Sequence, residues 1–350
     1  MPYAVPAVGA SASDRPMEKM EILRRDVGPS DVRIKIEYCG ICHSDIHTAR
    51  NEWKGSQYPV VPGHEIIGIV TEVGAEVTTF GAGDRVGIGC IVDSCGECAE
   101  CGSGLQNYCT AGAVFTYNSS DPHSTEDHTF GGYSGEIVVT ASFVLKVPDD
   151  LDPASAAPIL CAGATLFSPL RHWDIGPGTK LAVVGFGGLG AMGVKLAVAM
   201  GAEVTVISRS DTKKEVALKA GAAHYLESTD AVAMAAANRT FDAVISTIPK
   251  THDMEPYLDL IKTDGTYIIV GAIEPMTEPW HSGKILRRRL SIAGSNIAGI
   301  RETQEALDFC AEHGIVSDIE IIPAAGINDA YEQIAKGDPG YRYVIDMSTL

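Results

Sequence analysis

Four of the nine cysteines lie within residues 95–109, spaced C-x2-C-x2-C-x7-C at Cys95, Cys98, Cys101 and Cys109. Because two residues separate each of the first three thiols, a short loop can turn them toward one point. Four thiolates around one cation form the closed tetrahedral site of structural zinc. A disulfide knot fits poorly, because we expect no secretory signal in this chain. A four-cysteine iron–sulfur cluster has compatible spacing and stays open as an alternative.

A second group of chemically capable side chains follows a predicted strand. Residues 31–38 alternate polar and apolar side chains, the period of a half-buried strand. Residues 39–47 come next and carry two thiols, two imidazoles, a hydroxyl and a carboxylate. Further on, prolines bar regular structure before His64 and Glu65, which favours a rigid turn that presents both side chains.

Cys42, His64 and Cys161 are candidate ligands of a second metal ion. Two thiolates and one imidazole leave a fourth position open, the pattern of a catalytic zinc. Their wide separation gives no spacing signal, so Cys39 and His43 remain rivals for Cys42 and His64. Taken alone, Cys161 is typical of a core residue in an apolar helix. Cys39 and Cys42 could also form a redox pair, although no thioredoxin-like context surrounds them.

A glycine-rich loop predicts dinucleotide binding. Gly185, Gly187 and Gly190 lie between an apolar strand at 180–184 and a predicted helix at 191–200. The first glycine permits a tight turn, the second admits the pyrophosphate, and the third lets helix and strand pack closely. The helix N-terminus then offers free N–H groups to the phosphates.

The residues after the next strand should select the cofactor. An acidic residue there would hold the ribose 2′-OH of NAD. This chain instead has Ser208, Arg209 and Ser210, with Lys213 one helical turn on. A guanidinium and hydroxyl donors suit a 2′-phosphate, so we predict NADP. The alternative is that Arg209 simply faces solvent.

Composition narrows the function classes. The 350 residues suffice for two domains, and the formal net charge of −18 opposes binding to nucleic acid or anionic membranes. No apolar run reaches the roughly 18 residues of a membrane span. We therefore expect a cytoplasmic protein, where clustered thiols stay reduced and serve metal binding or catalysis.

The pattern of elements changes along the chain. Short strands with glycine turns up to about residue 150 indicate a twisted antiparallel barrel. A predicted helix at 154–170 then leads into alternating strands and helices, the rhythm of a doubly wound parallel sheet. We therefore predict an α/β fold with a Rossmann domain and a barrel-like, mainly β domain.

The chain resembles the zinc-dependent medium-chain alcohol dehydrogenases, most closely the cinnamyl alcohol dehydrogenase branch with its bacterial broad-range NADPH-dependent aldehyde reductases. The resemblance covers essentially the whole chain. It rests on motifs found in the family's order: residues 40–47, the Pro-Gly-His-Glu turn at 62–65, the four-cysteine loop, Cys-Ala-Gly at 161–163 and the glycine loop at 185–190.

The resemblance implies a GroES-like catalytic domain over residues 1–152 and 291–350, with an NADP-binding domain at 153–290 between its two parts. It implies that Cys42, His64 and Cys161 bind a catalytic zinc and that Glu65 is an alternate ligand.

The resemblance also implies roles for the neighbours of these ligands. Asp45 would hold the His64 imidazole, and Ser44 and His47 would form a proton relay. Liver-type NAD-dependent enzymes place an arginine for pyrophosphate where this chain has His43, so that contact is not carried over. The remaining predicted cofactor contacts are Gly188, Leu189, Thr165, Val270 and Ser295.

The expected activity is reversible reduction of aliphatic and aromatic aldehydes to primary alcohols by NADPH, in a homodimer with two zinc ions per chain. Zinc would polarise the carbonyl oxygen, while Ser44 protonates the alkoxide and is resupplied through the cofactor ribose and His47. Trp53, Tyr58 and residues 295–297 are candidates for the substrate wall.

Three other functions are alternatives to this activity. A metal-independent NADPH quinone or enone reductase would keep the fold but leave the Cys42, His64 and Cys161 set without a use. A non-catalytic, zinc-stapled dinucleotide sensor would bind one zinc and never oxidise NADPH. Nucleic-acid binding is disfavoured by the acidic composition and the lack of aromatic residues among basic ones.

Overall fold

The computed structural model describes residues 1–121, 123–124, 126–271, 274–275, 277–337 and 340–350. They form two compact units, Met1–Ala164 with Ala298–Leu350, and Thr165–Ile297. The strands are β1 (Tyr3–Gly9), β2 (Glu18–Arg24), β3 (Asp31–Gly40), β4 (Ile66–Val73), β5 (Arg85–Ile88), β6 (Ile91–Asp93), β7 (Val114–Phe115), β8 (Glu136–Thr140), β9 (Leu145–Lys146), β10 (Lys180–Val184), β11 (Glu203–Ser208), β12 (His224–Glu227), β13 (Phe241–Ser246), β14 (Ile261–Ile269), β15 (Ser291–Gly294), β16 (Ile319–Pro323) and β17 (Arg342–Asp346). The α-helices are α1 (His43–Ala49), α2 (Ala99–Gly102), α3 (Pro153–Ala156), α4 (Ala162–His172), α5 (Gly188–Ala199), α6 (Lys214–Lys219), α7 (Ala231–Ala236), α8 (Glu255–Leu258), α9 (Ser282–Leu286), α10 (Ile300–His313) and α11 (Ile327–Lys336).

The unit Met1–Ala164 with Ala298–Leu350 is built around β3. Among the described residues its main sheet has seven strands in the order β16-β17-β3-β4-β5-β9, with β8 also paired to β3. The start of β3 pairs with β8 and its end pairs with β17, both antiparallel. The core side chains of β3 and β4 are buried, including Ile34, Ile36, Ile66 and Ile67. The predicted mainly β part of the α/β fold is therefore confirmed.

The unit Thr165–Ile297 contains a parallel sheet. Its strand order, among the described residues, is β12-β11-β10-β13-β14-β15, which in chain order reads 3-2-1-4-5-6. Every pairing in it is parallel. This is the doubly wound order in which the sequence reverses direction next to the first strand. The apolar residues of β10 are almost fully buried, as expected for a strand covered on both faces.

The predicted helix at 154–170 is wrong as a single element. The chain forms α3, a 3-10 turn at Ala157–Leu160, and then α4. Between them Cys161 has φ −122° and ψ −73°, outside the helical region. Pro158 contributes to the break, because it has no N–H for a helical hydrogen bond. The break is what turns the Cys161 thiol out of an ordinary helix position.

The helices of the described residues are short compared with a membrane span. No single helix in them is long and apolar enough to cross a membrane. Only the bent pair Pro153–Leu160 and Ala162–His172 reaches the required length and composition, with a 54° bend between its parts.

The close packing around Gly190, the third glycine of the loop, can be tested by mutation. A Cβ on Gly190 would lie 2.2 Å from the carbonyl oxygen of Gly185, which is shorter than any real contact. We expect Gly190→Ala to destabilise the unit Thr165–Ile297 by about 1–3 kcal/mol, measured by denaturant unfolding. The matched control is Gly283→Ala, because a Cβ on Gly283 in α9 would meet nothing within 4 Å. Equal unfolding free energies for the two variants would contradict the close approach.

Candidate metal and cofactor sites

The four-cysteine loop brings its thiols to one point. The sulfur atoms of Cys95, Cys98, Cys101 and Cys109 all lie within 4.8 Å of one another. The Cys95 and Cys101 sulfurs are 3.9 Å apart, close to the roughly 3.8 Å edge of a tetrahedron with zinc–sulfur bonds of about 2.3 Å. Hydrogen bonds from the backbone of Cys101 and Thr110 lower the pKa of Cys98 to about 6. The loop therefore has the spacing and a ready thiolate for one zinc ion.

A second donor set forms at three distant points of the same unit. Ligand atoms of Cys42, His64, Glu65 and Cys161 lie within 4.8 Å of one another, and the Cys42 and Cys161 sulfurs are 4.0 Å apart. Cys39, left as a rival by the sequence, is fully buried and lies outside this set, as does His43. Two thiols and an imidazole with an adjoining carboxylate suit a zinc with an open position.

Local structure explains how these side chains meet. Cys42 is the N-cap of α1, directly after β3 ends. His64 and Glu65 follow Gly63, whose φ of +105° lets the chain turn tightly into β4. Cys161 lies at the break before α4. Each donor therefore sits at an element boundary, where the backbone can aim a side chain without disturbing a regular ladder.

The Asp45 carboxylate joins two of these segments. It is 0% exposed, and its Oδ2 accepts the Cys42 backbone N–H at 2.7 Å and the Tyr133 hydroxyl at 3.1 Å. Its Oδ1 accepts the Gly63 N–H at 3.1 Å and lies 3.3 Å from His64 Nδ1. Asp45 and His64 are thus brought together, the contact that the resemblance implied.

Glu65 has a partner that the sequence did not reveal. Its side chain is 0% exposed, and Oε1 pairs with the Arg342 guanidinium from β17. Among the residues that the structure describes, none offers a hydrogen bond to the buried Oε2. Burial raises the pKa of Glu65 to about 7, against the opposing effect of Arg342. The unpaired Oε2 lies where a cation would satisfy it. The only sequence signal for Arg342 is its position between two tyrosines in a predicted strand.

Charge in the second donor set is divided unequally. The contact with Cys161 holds the pKa of Cys42 well below its ordinary value, despite burial, whereas the pKa of Cys161 is raised by the same contact. Burial lowers the pKa of His64, but the negative charge of Cys90 and Asp45 raises it well above its usual range. Cys90 is a further thiol beside the set that sequence reasoning missed. The set is therefore rich in negative charge and favours a bound cation.

The predicted relay residues lie on one helix. Ser44 and His47 are three residues apart on α1, the spacing of neighbours on one helix face. The Ser44 hydroxyl is 3.6 Å from the Cys42 sulfur, at the edge of the donor set. His47 Nδ1 pairs with the Glu52 carboxylate, and its ring stacks on Trp53 at 4.9 Å. Glu52 was not singled out from the sequence.

Two candidates for the substrate wall behave differently in the structure. Trp53 is 41% exposed and stacked on His47, so its ring lies beside the predicted relay. The Tyr58 hydroxyl donates to the Ala49 carbonyl at 2.9 Å and is used within the fold. Residues 295–297 lie in the other compact unit, Thr165–Ile297.

The glycine loop has the backbone geometry that it needs. Gly185 has φ +89° directly after β10, and a Cβ there would lie 2.7 Å from Thr247 Oγ1. Thr247 donates from the same hydroxyl to the Val184 carbonyl at 2.9 Å and was missed by the sequence reasoning. Gly187 is the N-cap of α5, which begins at Gly188, three residues earlier than predicted. The N–H groups in the first turn of a helix at this position suit a pyrophosphate.

The other predicted cofactor residues surround the same sheet edge. Ser208 ends β11, Arg209 follows it, and Lys213 Nζ donates to the Phe186 carbonyl at 2.9 Å, which ties it to the glycine loop. Ser210 and Thr212 hydroxyls are 2.9 Å apart. Val270 and Ser295 follow β14 and β15, so they lie at the carboxyl edge of the parallel sheet, where nucleotides bind. Thr165 lies in α4, and Leu189 in the first turn of α5.

Comparison with known proteins assigns both parts of the chain. Residues 28–149 match the Alcohol dehydrogenase GroES-like domain, and residues 188–312 match the Zinc-binding dehydrogenase family. The chain belongs to the zinc-binding alcohol dehydrogenases. This zinc-binding dehydrogenase is 51% identical over 348 residues to aldehyde reductase YahK of Escherichia coli, covering 99% of each chain. The predicted resemblance is confirmed.

Two solved structures are similar to this alcohol dehydrogenase family member. A cinnamyl alcohol dehydrogenase of Sorghum bicolor, SbCAD4, has a TM-score of 0.95 and 42% identity, over 99% of this chain and 98% of that one. A Helicobacter pylori cinnamyl alcohol dehydrogenase complexed with NADP(H) has a TM-score of 0.92 and 41% identity, over 99% of both chains. The family and the donor sets fit two zinc ions and NADP(H) as cofactors.

The raised pKa of Glu65 predicts a pH-dependent stability in metal-free protein. Folding raises this pKa from 4.5 to about 7, so the folded chain binds the proton more tightly. The resulting stabilisation is present below about pH 4.5 and is lost as the pH rises through 7. Relative to Glu65→Gln, the unfolding free energy should fall by about 1–3 kcal/mol between pH 4.5 and 8, measured by urea denaturation. Parallel pH profiles for the two proteins would contradict this.

Proposed function

We propose that this protein is a zinc-dependent oxidoreductase that reversibly reduces aldehydes to primary alcohols with NADPH. One observation carries the proposal: the Cys42, His64 and Cys161 donors converge, with the Ser44 hydroxyl 3.6 Å from the Cys42 sulfur. The chain's similarity to an aldehyde reductase and to cinnamyl alcohol dehydrogenases supports a broad range of aliphatic and aromatic, cinnamyl-type aldehydes.

The two donor sets divide the metal chemistry between them. We assign Cys42, His64 and Cys161 to the catalytic zinc, with Glu65 as an alternate ligand, and residues 95–109 to the structural zinc. Bound at the first set, zinc supplies a Lewis acid for the carbonyl oxygen, and NADPH supplies the hydride. The closed four-thiol set leaves no position for substrate, which supports its structural role.

Side chains of this protein would transfer the proton that the forming alkoxide needs. Ser44 is placed to donate its hydroxyl proton to the forming alkoxide, since it borders the donor set. His47 would then supply a replacement proton to Ser44, because it shares a helix face with Ser44 and its side chain, 18% exposed, can take up a proton from water. The Glu52 carboxylate accepts from Nδ1 of His47 and fixes the orientation of the ring.

Cofactor choice follows from the end of β11. We propose that Gly185, Gly187 and Gly190 receive the pyrophosphate and that Arg209, with Lys213, binds the 2′-phosphate of NADP. No carboxylate occupies residues 208–210, the positions where NAD would need one. The solved relative from Helicobacter pylori, complexed with NADP(H), supports this assignment.

We further propose that the catalytic domain is formed by residues 1–152 and 291–350, and the nucleotide domain by residues 153–290. A homodimer is supported by β15, which among the described residues pairs only with β14 and so presents a free sheet edge. Trp280 and Leu286 precede this strand and are 40% and 78% exposed. A cytoplasmic location suits both thiol sets, which bind zinc only when reduced.

The activity is tested with a panel of aliphatic and aromatic aldehydes and either NADPH or NADH. We expect oxidation of NADPH at least tenfold more efficiently than NADH, measured as kcat/KM, and loss of activity after removal of zinc by a chelator. Added zinc should restore the activity, because the donor sets are formed by the fold. Full turnover in metal-free protein would support the quinone reductase alternative instead. One bound zinc ion per chain, with cofactor binding but no oxidation of NADPH by any aldehyde, would support the sensor.

The relay is tested by Ser44→Ala. Because Ser44 is not a metal ligand, both zinc ions should remain bound, while kcat falls by about 100-fold or more from loss of proton transfer. Zinc content is measured by elemental analysis and kcat by NADPH absorbance. Ser30→Ala is the matched control, because its hydroxyl donates to the Glu76 carboxylate at the surface and Ser30 is not among the residues proposed for either zinc site or for the relay. Unchanged turnover in Ser44→Ala would remove Ser44 from the relay.

A further inference from the structure

One tyrosine hydroxyl is aimed at the carboxylate that joins the two ligand segments. Tyr133 donates to Asp45 Oδ2 at 3.1 Å, and both side chains are 0% exposed. Tyr133 lies shortly before β8, remote in sequence from Asp45. Its backbone N–H donates to the Pro62 carbonyl at 3.0 Å, and its carbonyl accepts from Val8 at 2.8 Å. The hydroxyl is therefore fixed by the backbone on both sides of the tyrosine.

The surroundings keep Tyr133 a hydrogen-bond donor. Burial, followed by the charge of Asp45, raises the pKa of Tyr133 well above its ordinary value. The same two causes raise the pKa of Tyr117, whose ring lies 5.6 Å from the His64 ring between centroids. Both phenols therefore stay protonated in the physiological range. A neutral donor satisfies the carboxylate without cancelling its charge.

The carboxylate geometry decides how His64 can act. Asp45 Oδ1 lies 3.3 Å from His64 Nδ1, so Nδ1 is the nitrogen that faces the carboxylate and Nε2 is the nitrogen left to bind a metal. Asp45 Oδ2 is held by Tyr133 and by the Cys42 N–H. If the Tyr133 hydroxyl were absent, Oδ2 would lose one donor and keep the Cys42 N–H, while the Gly63 N–H would still hold Oδ1. The carboxylate would then be held less firmly against rotation about its Cβ–Cγ bond.

We propose that Tyr133 is a positioning residue for the catalytic zinc, acting through Asp45 on the orientation of His64. This inference rests on the proposed function, because it concerns the same metal site. It extends that function by assigning a role to a residue that touches neither metal nor substrate. A tyrosine that only fills the core would leave zinc affinity unchanged, so zinc affinity separates the two roles.

The test is Tyr133→Phe, which removes the hydroxyl and keeps the ring. Zinc is titrated with a chelator of known affinity, and the four-cysteine site serves as the internal reference. We expect the catalytic zinc to bind about 10- to 100-fold more weakly and the structural zinc to bind unchanged. The matched control is Tyr267→Phe. Tyr267 is also 0% exposed, and its hydroxyl lies 3.1 Å from His252 Nε2. It belongs to the unit Thr165–Ile297, whereas the residues of both donor sets belong to the other unit.

A double-mutant cycle with Asp45→Asn tests the route through the carboxylate. Asp45→Asn should weaken the catalytic zinc by itself, and adding Tyr133→Phe should then change the affinity less than threefold. Full additivity of the two effects would overturn the route through Asp45. Catalytic zinc affinity within twofold of wild type in Tyr133→Phe would overturn the inference. So would loss of both zinc ions with unfolding, because the hydroxyl would then support the fold as a whole.

These outcomes are distinct from failure of the proposed function. Wild-type protein that binds one zinc, or two zinc ions without aldehyde turnover, would remove the proposed function. Wild-type protein with two zinc ions and full turnover, combined with an unaffected Tyr133→Phe variant, would overturn only the positioning role.

Discussion

A buried carboxylate imposes the main constraint on this molecule. Asp45 has no exposure to water, and a buried charge is tolerated only when hydrogen bonds replace the lost solvent. The donors come from the N-terminus of α1, from the turn at Gly63 and His64, and from Tyr133. Satisfying one side chain therefore draws three distant segments together, and two of them carry proposed metal ligands.

The same region must also be balanced electrically. Glu65 adds a second fully buried carboxylate, and Cys42, Cys90 and Cys161 add three thiols that interact with one another. Arg342 supplies one positive charge, but Glu65 Oε2 still has no hydrogen-bond partner within the described part of the chain. A divalent cation at this point would pair with the thiolates and reduce the repulsion. Its binding energy would then stabilise an arrangement that the hydrogen bonds of Asp45 already define.

In the unit Thr165–Ile297, the glycine loop depends on backbone geometry and not on buried charge. The carbonyl of Gly185 lies so close to Gly190 that a side chain at position 190 would force the backbone to move. A Cβ on Gly185 would instead lie 2.7 Å from Thr247 Oγ1. Thr247 follows the neighbouring strand β13 directly, and its hydroxyl donates to the Val184 carbonyl at the start of the loop. Because β10 pairs in parallel with β11 and β13, the residues that follow these strands lie at the same edge of the sheet. Helix α5 begins at this edge. The position of the proposed phosphate-binding loop is therefore a direct consequence of the strand order.

Features of this protein that depend on short-range spacing could be predicted from its amino-acid sequence. The four cysteines within residues 95–109, the glycines at 185–190 and the apolar strand before them are local patterns, so their sites and the fold class could be predicted. The tertiary structure alone decided the partners that approach from distant segments: Arg342 for Glu65, Tyr133 for Asp45, and Thr247 for Gly185. It also decided the break at Cys161, because composition predicts a continuous apolar helix there. Contacts between residues 62 to 277 positions apart leave no periodicity in one sequence, and only the folded chain brings their atoms within bonding distance.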